Sequence, residues 1–130
     1  MVVVLVGQVT TTSKTEVHDT SYTSVGLDTF ITTEFDGQQV LVTVNSNFNP
    51  DDTSDWGWLT IYRNGTDLGP LQICHHPDED NRAFNAVVLD SPGSAGIYGY
   101  SAMFKACSSC EHFDINQHSY SQIGVVALGC

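Results

Sequence analysis

Apolar and polar residues alternate along most of this chain with a period of two, as in strands that bury one face and expose the other. The most regular stretch places Tyr98, Tyr100, Ala102, Phe104 and Ala106 on one face and Gly99, Ser101, Met103 and Lys105 on the other. Just upstream, Val87-Val88-Leu89 closes another apolar strand. Asp90-Ser91-Pro92-Gly93 then supplies a turn, because Pro presets φ and Gly accepts a positive one. The two strands are expected to pair as the central hairpin of a sheet.

The same period extends in both directions. Val2 to Val9 predicts a first strand, followed by a Thr/Ser-rich connection from Thr10 to Thr15. Val25, Leu27, Thr29, Ile31 and Thr33 predict a second, and Asp36-Gly37 a turn. Val40, Val42 and Val44 predict a third, and Asn45 to Asp55 reads as a polar loop. Trp56, Trp58, Thr60 and Tyr62 then alternate against Leu59 and Ile61. Asn64-Gly65 is a strong signal for a type I′ hairpin, whose two central residues both need positive φ, so Thr66 to Cys74 is expected to return antiparallel. An acidic loop from His75 to Arg82, a Cys/His-bearing loop from Cys107 to His118 and a last strand from Gln122 to Leu128 complete the pattern. No window sustains the 3.6-residue period of a helix. The prediction is an all-β, antiparallel β-sandwich or jelly roll of about eight or nine strands, forming a single domain over residues 1–130.

Charge narrows the partners. Fifteen acidic residues against four basic ones (Lys14, Arg63, Arg82, Lys105) give a formal net charge of -11. Phosphate-rich partners would be repelled, which argues against nucleic acid and anionic membranes. The apolar start, Met1 to Val6, lacks the basic flank and cleavage site of a secretion signal and reads as a strand. No apolar run approaches the length that spans a bilayer as a helix. Cys74, Cys107, Cys110 and Cys130 are too few to scaffold a domain of this size and leave the redox compartment open.

Four segments taken in order, Thr20 to Thr32, Val40 to Val44, Ile61 to Thr66 and Leu89 to Gly93 followed by a Tyr-rich strand, resemble the jelly-roll domains of tailed-phage virion proteins. Such domains look like tumour-necrosis-factor or C1q trimers, and serve as capsid decoration or cement proteins and as tail-fibre tips. The resemblance implies a homotrimer. The first strand begins at once after Met1, which leaves no stalk, so the expectation is a trimeric decoration protein. It would bind the major capsid protein on the outer surface of the virion, after synthesis in the host cytoplasm. The alternative is a receptor- or carbohydrate-binding fibre tip. Aromatic residues in excess of one small core, with Trp56, Trp58, Tyr62, Tyr98, Tyr100 and Phe104 foremost, are the candidates for the trimer interface.

Local chemistry is sparse. Cys107-Ser-Ser-Cys110 beside Glu111 and His112 has the spacing of a metal half-site, a redox pair or a short disulfide loop; plain reduced thiols are expected first, with a Cys107–Cys110 disulfide as the next alternative. Cys74, His75 and His76 are the residues available to complete a metal site with Cys107 and Cys110, although no metal or other cofactor is expected. The acidic runs Asp51-Asp52-Thr53-Ser54-Asp55 and Asp78-Glu79-Asp80 lack the spacing and glycine of an EF-hand and read as solvated loops. His18, His112 and His118 are scattered and read as ordinary surface or core histidines, and Cys130 reads as an exposed terminal thiol. The nucleophile elbow, the His-Glu-x-x-His motif and the phosphate-cradling loop are all missing, so no enzymatic activity is expected.

Overall fold

A computed structural model describes residues 3–11, 15–50, 55–75, 82–108, 110, 112–116 and 120–129. Eleven strands and no helix are found among the described residues: β1 (Val3–Thr11), β2 (Thr15–Val17), β3 (Thr23–Thr32), β4 (Val40–Pro50), β5 (Trp56–Arg63), β6 (Thr66–Asp67), β7 (Gln72–His75), β8 (Arg82–Asp90), β9 (Ile97–Ala106), β10 (Phe113–Ile115) and β11 (Ser121–Leu128). They form two antiparallel sheets packed as a sandwich. The larger follows the order β1-β11-β4-β10-β2, with β8 on the other side of β4, and the smaller follows β3-β9-β5-β6, with β7 also on β5.

The alternation seen in the sequence is the alternation of burial. Val40, Val42 and Val44 from β4 and Ile123, Val125 and Ala127 from β11 point inward from the larger sheet. Leu27, Leu59, Ile61, Tyr100, Ala102 and Phe104 meet them from the smaller one. At one end Phe48, Phe84, Phe104 and Phe113 interlock, with ring centroids 4.9–6.5 Å apart in mostly edge-on or tilted pairs, the geometry that opposed ring quadrupoles favour. Gly57 faces this cluster because nothing larger fits: a Cβ there would lie 2.7 Å from Phe48 Cε2.

Polar groups left inside are tied together. Arg63 Nη1 donates to both Asp90 carboxylate oxygens at 2.7 and 2.8 Å, and the buried Tyr100 hydroxyl donates to Asp90 Oδ2 at 2.7 Å, linking β5, β8 and β9. Asn47 Oδ1 accepts from the Asn116 N–H at 2.6 Å, and Ser121 Oγ donates to Asn116 Oδ1, which ties Asn116 to β4 and to the start of β11.

Four expectations are corrected. The strands on either side of Asp90-Ser91-Pro92-Gly93 do not pair, because β8 takes the free side of β4 while β9 joins β3 and β5 in the other sheet. Six residues separate them, from Ser91 to Gly96, so this is a crossing between layers rather than a tight hairpin. Ser46 to Pro50, expected in a loop, continue β4, because β8 and β10 pair with their backbone. The return after Asn64-Gly65 (φ 47° and 83°) does occur, but it is split into β6 and β7 at Gly69 (φ 83°) and Pro70. The short strands β2 and β10, which pair with each other, lie where only connections were expected.

Candidate functional site

Strand β5 runs through the smaller sheet with Gly57, Leu59 and Ile61 directed into the core. By alternation Trp56, Trp58, Thr60 and Tyr62 share the outer face. Their neighbours across the ladder are fixed by register. His75 lies opposite Trp56 and Ile73 opposite Trp58 on β7, while Lys105, Met103 and Ser101 lie opposite Trp58, Thr60 and Tyr62 on β9.

The side chains form a continuous platform. The Trp56 and His75 rings stack in parallel, with centroids 4.2 Å apart and planes at 16°. Lys105 Nζ sits 4.6 Å above the Tyr22 ring and 5.6 Å from that of Trp58, within the reach of cation–π attraction. Tyr22 meets Tyr62 edge-on at 6.0 Å. Beneath them Thr60 is fully buried and donates to Asp67 Oδ1 at 2.6 Å. Burial, the Asp67 charge and the neighbouring Tyr62 together push the Tyr22 phenol above its usual range, so it stays a neutral donor. From Trp56 to Tyr62 the platform is about 20 Å long at the rise of an extended strand. Trp56 keeps 41% of its surface exposed and Ile73 keeps 53%. Near the same sheet edge, Thr43, Asn45, Gln72, Asn85 and Val87 line an open cavity of about 440 Å³ rimmed by side-chain amides.

The interface candidates therefore divide. Trp56, Trp58 and Tyr62 do share one outer face, and Tyr98 is half-buried at the start of β9, its hydroxyl donating to the Ser94 carbonyl. Tyr100 and Phe104 are corrected: both are fully buried within the chain's own core, because they fall on the inward parity of β9. The excess of aromatic residues in the sequence was partly core.

Cys107 and Cys110 are joined in a disulfide, which corrects the expectation of reduced thiols in favour of the disulfide alternative. Their sulfurs are bonded to each other and the His75 ring is stacked on Trp56, so among the described residues Cys74, His75, Cys107 and Cys110 do not gather as a metal site; His76, the remaining member of that set, lies outside the described residues. Cys74 faces inward opposite Gly57, and burial raises its thiol pKa, only partly offset by Arg82, which makes it a poor ligand or nucleophile. The disulfide loop braces the platform instead, as the Trp56 N–H points to Cys110 Sγ at 3.2 Å. Residues 51–54 and 76–81, Glu111, His118 and Cys130 lie outside the described residues. Neither His75 as a stacking partner nor Tyr22 as a platform member was picked out from the sequence, since both contacts depend on cross-strand register and on a loop fold that spacing does not reveal.

No protein-family model matches the chain. No curated protein matches it in sequence either. By fold it is similar to the C-terminal domain of EclA, a sugar-binding protein, with a TM-score of 0.52 and 11% identity over 87% of this chain and 78% of that one. Looser matches are a dimeric latent PorU from Porphyromonas gingivalis (TM-score 0.41, 7% identity, 94% of this chain, 13% of that one) and an exo-β-1,3-galactanase from Phanerochaete chrysosporium (0.28, 14%, 93% and 27%). At these identities the likeness is one of fold, and it defines the class as an antiparallel β-sandwich.

Proposed function

We propose that the chain is a carbohydrate-binding module whose ligand lies along the outer face of β5. The observation that carries this reading is the row Trp56–His75, Trp58 and Tyr22–Tyr62, an aromatic strip on a rigid sheet with polar groups set between the rings. The C–H-bearing face of a pyranose ring is apolar and slightly electropositive, and it packs on the electron-rich face of an aromatic ring. Sugar hydroxyls need fixed donors and acceptors at the edges of those rings, and Lys105, Ser101 and the two tyrosine hydroxyls stand there. The sandwich shared with the sugar-binding EclA domain supports the same reading. So does the resemblance to phage fibre tips, on which such a face would contact a host glycan. The reading makes the chain a binding module rather than an enzyme. A glycan array probed with the purified protein tests it: a family of related oligosaccharides is expected to bind. Trp58→Ala is expected to weaken that binding by about 2 kcal/mol or more, the scale of a central aromatic contact. Absence of binding to any glycan would overturn it.

A second reading, trimeric capsid decoration, is favoured by Val87 and Leu89, which project from β8 with 58% and 52% of their surfaces exposed. β8 pairs only with β4 among the described residues, and an apolar strand edge of this kind suits burial against another subunit. In that reading the chain acts as a homotrimer clamped to the major capsid protein on the virion surface. Light scattering gives the solution mass, and a monomer at high concentration would count against it.

A further inference from the structure

We propose that Glu16, His112 and Asp114 form a binding site for a divalent transition-metal ion of the zinc type, separate from the aromatic platform. The strand pairing creates it. Glu16 of β2 lies directly opposite Asp114 of β10, and His112 precedes Asp114 by two residues, on the same side of the extended chain. The three ligand atoms lie within 4.8 Å of one another. His112 Nε2 is 3.9 Å from Glu16 Oε1 and 3.9 Å from Asp114 Oδ1, longer than direct hydrogen bonds.

Those distances suit a shared ion. A triangle with sides of 3.9, 3.9 and at most 4.8 Å has a point no more than about 2.5 Å from every corner. Zinc holds imidazole nitrogen and carboxylate oxygen at about 2.0–2.2 Å, so each ligand needs to move only a few tenths of an ångström. Glu16, exposed on its strand, is free to make that adjustment.

Two further features favour a cation. Like charges directly opposite in an antiparallel pair repel, and here one of the two carboxylates, Asp114, is 94% buried, where an ionised group costs most. A divalent ion offsets that repulsion. The chain's charge of -11 also raises the local concentration of cations. The donor set selects among them: one imidazole with two carboxylates suits zinc or its transition-metal neighbours better than calcium, which prefers an all-oxygen shell. Three protein ligands leave a fourth tetrahedral position for water or a partner's donor. His112 lies two residues after Cys110, so the part of the sequence that carries the cysteine motif contributes an imidazole to the site, with its two sulfurs serving as a staple rather than as ligands.

The test is zinc chloride titrated calorimetrically into the disulfide-intact, chelator-treated protein, with the thermal midpoint followed in parallel. One equivalent is expected to bind and to raise Tm, since the ion favours the folded state alone. Glu16→Gln, which relieves the repulsion between the facing carboxylates, is expected to raise the metal-free Tm slightly and to weaken zinc at least about tenfold, the loss that removal even of an outer-shell group causes. His112→Ala is expected to abolish binding. No uptake by the native protein, or equal uptake by native protein and Glu16→Gln, would overturn the assignment. The latter result would place the ion elsewhere.

Discussion

Gly57 shows how one residue sets the relation between core and surface. Its hydrogen faces Phe48 and Phe113 at distances where a methyl group would collide, while its neighbours Trp56 and Trp58 face outward. Gly57→Ala is expected to cost about 1–3 kcal/mol in urea unfolding, the usual penalty of overpacking a filled core. Tyr100 makes a second prediction at this scale. Burial, its hydrogen bond to Asp90 and that carboxylate's charge hold its phenol proton well beyond the usual range, against a smaller opposing pull from Arg63. The folded state therefore keeps this proton after the unfolded chain, whose phenol titrates near 10.0, has begun to lose it. Stability from Tyr100 is complete below that pH and declines above it, with Tyr22 adding in the same direction. Tyr100→Phe is expected to flatten part of this alkaline decline in a series of denaturant titrations, and to cost about 1.5–3 kcal/mol at neutral pH for the lost bond to a charged group. The inward parity of Tyr100 and Phe104 was legible in the alternation, but their depth was not, because parity gives the face and only the opposing sheet decides whether that face is covered.

At the scale of elements, the long strands were legible because each buries one face and so writes its period into the sequence. The Val40–Val44 alternation, the Asn64-Gly65 turn and the closing strand all appear where their residues predict them. What the period could not convey was pairing. β8 and β9 look like a hairpin locally, yet each pairs in a different layer, β8 with β4 and β9 with β3 and β5. Ser46, Asn47 and Asn49 read as loop because they are polar, and they are buried in strand because Asn85, Asn116 and the Tyr120 carbonyl engage Ser46 and Asn47 and the β10 backbone pairs at Asn49. The platform inherits the same limit: Trp56, Trp58 and Tyr62 were visible as a row, whereas His75 joined them only through the β5–β7 register. The Cys107–Cys110 loop supports the end of that row at the Trp56 backbone. Replacing both cysteines with serine is expected to destabilise the fold by about 2 kcal/mol, the chain-entropy value for so short a loop, and reductant should lower the native protein's unfolding midpoint but leave the variant's unchanged.

The whole molecule presents distinct surfaces on one sandwich: an aromatic strip on the smaller sheet, an apolar strand edge at β8, and a Glu-His-Asp cluster where β2 meets β10. The first is the central claim, and the chain carries its own reporter for it, since both of its tryptophans stand on that strip. Intrinsic fluorescence titrated with an oligosaccharide ligand, in the presence of a soluble collisional quencher, is therefore the most direct measurement. If the sugar stacks along β5, emission will shift and quencher access will fall in step with occupancy, and Trp58→Ala will lose the ligand. A glycan that binds with full affinity while both tryptophans stay equally open to quencher would contradict the account.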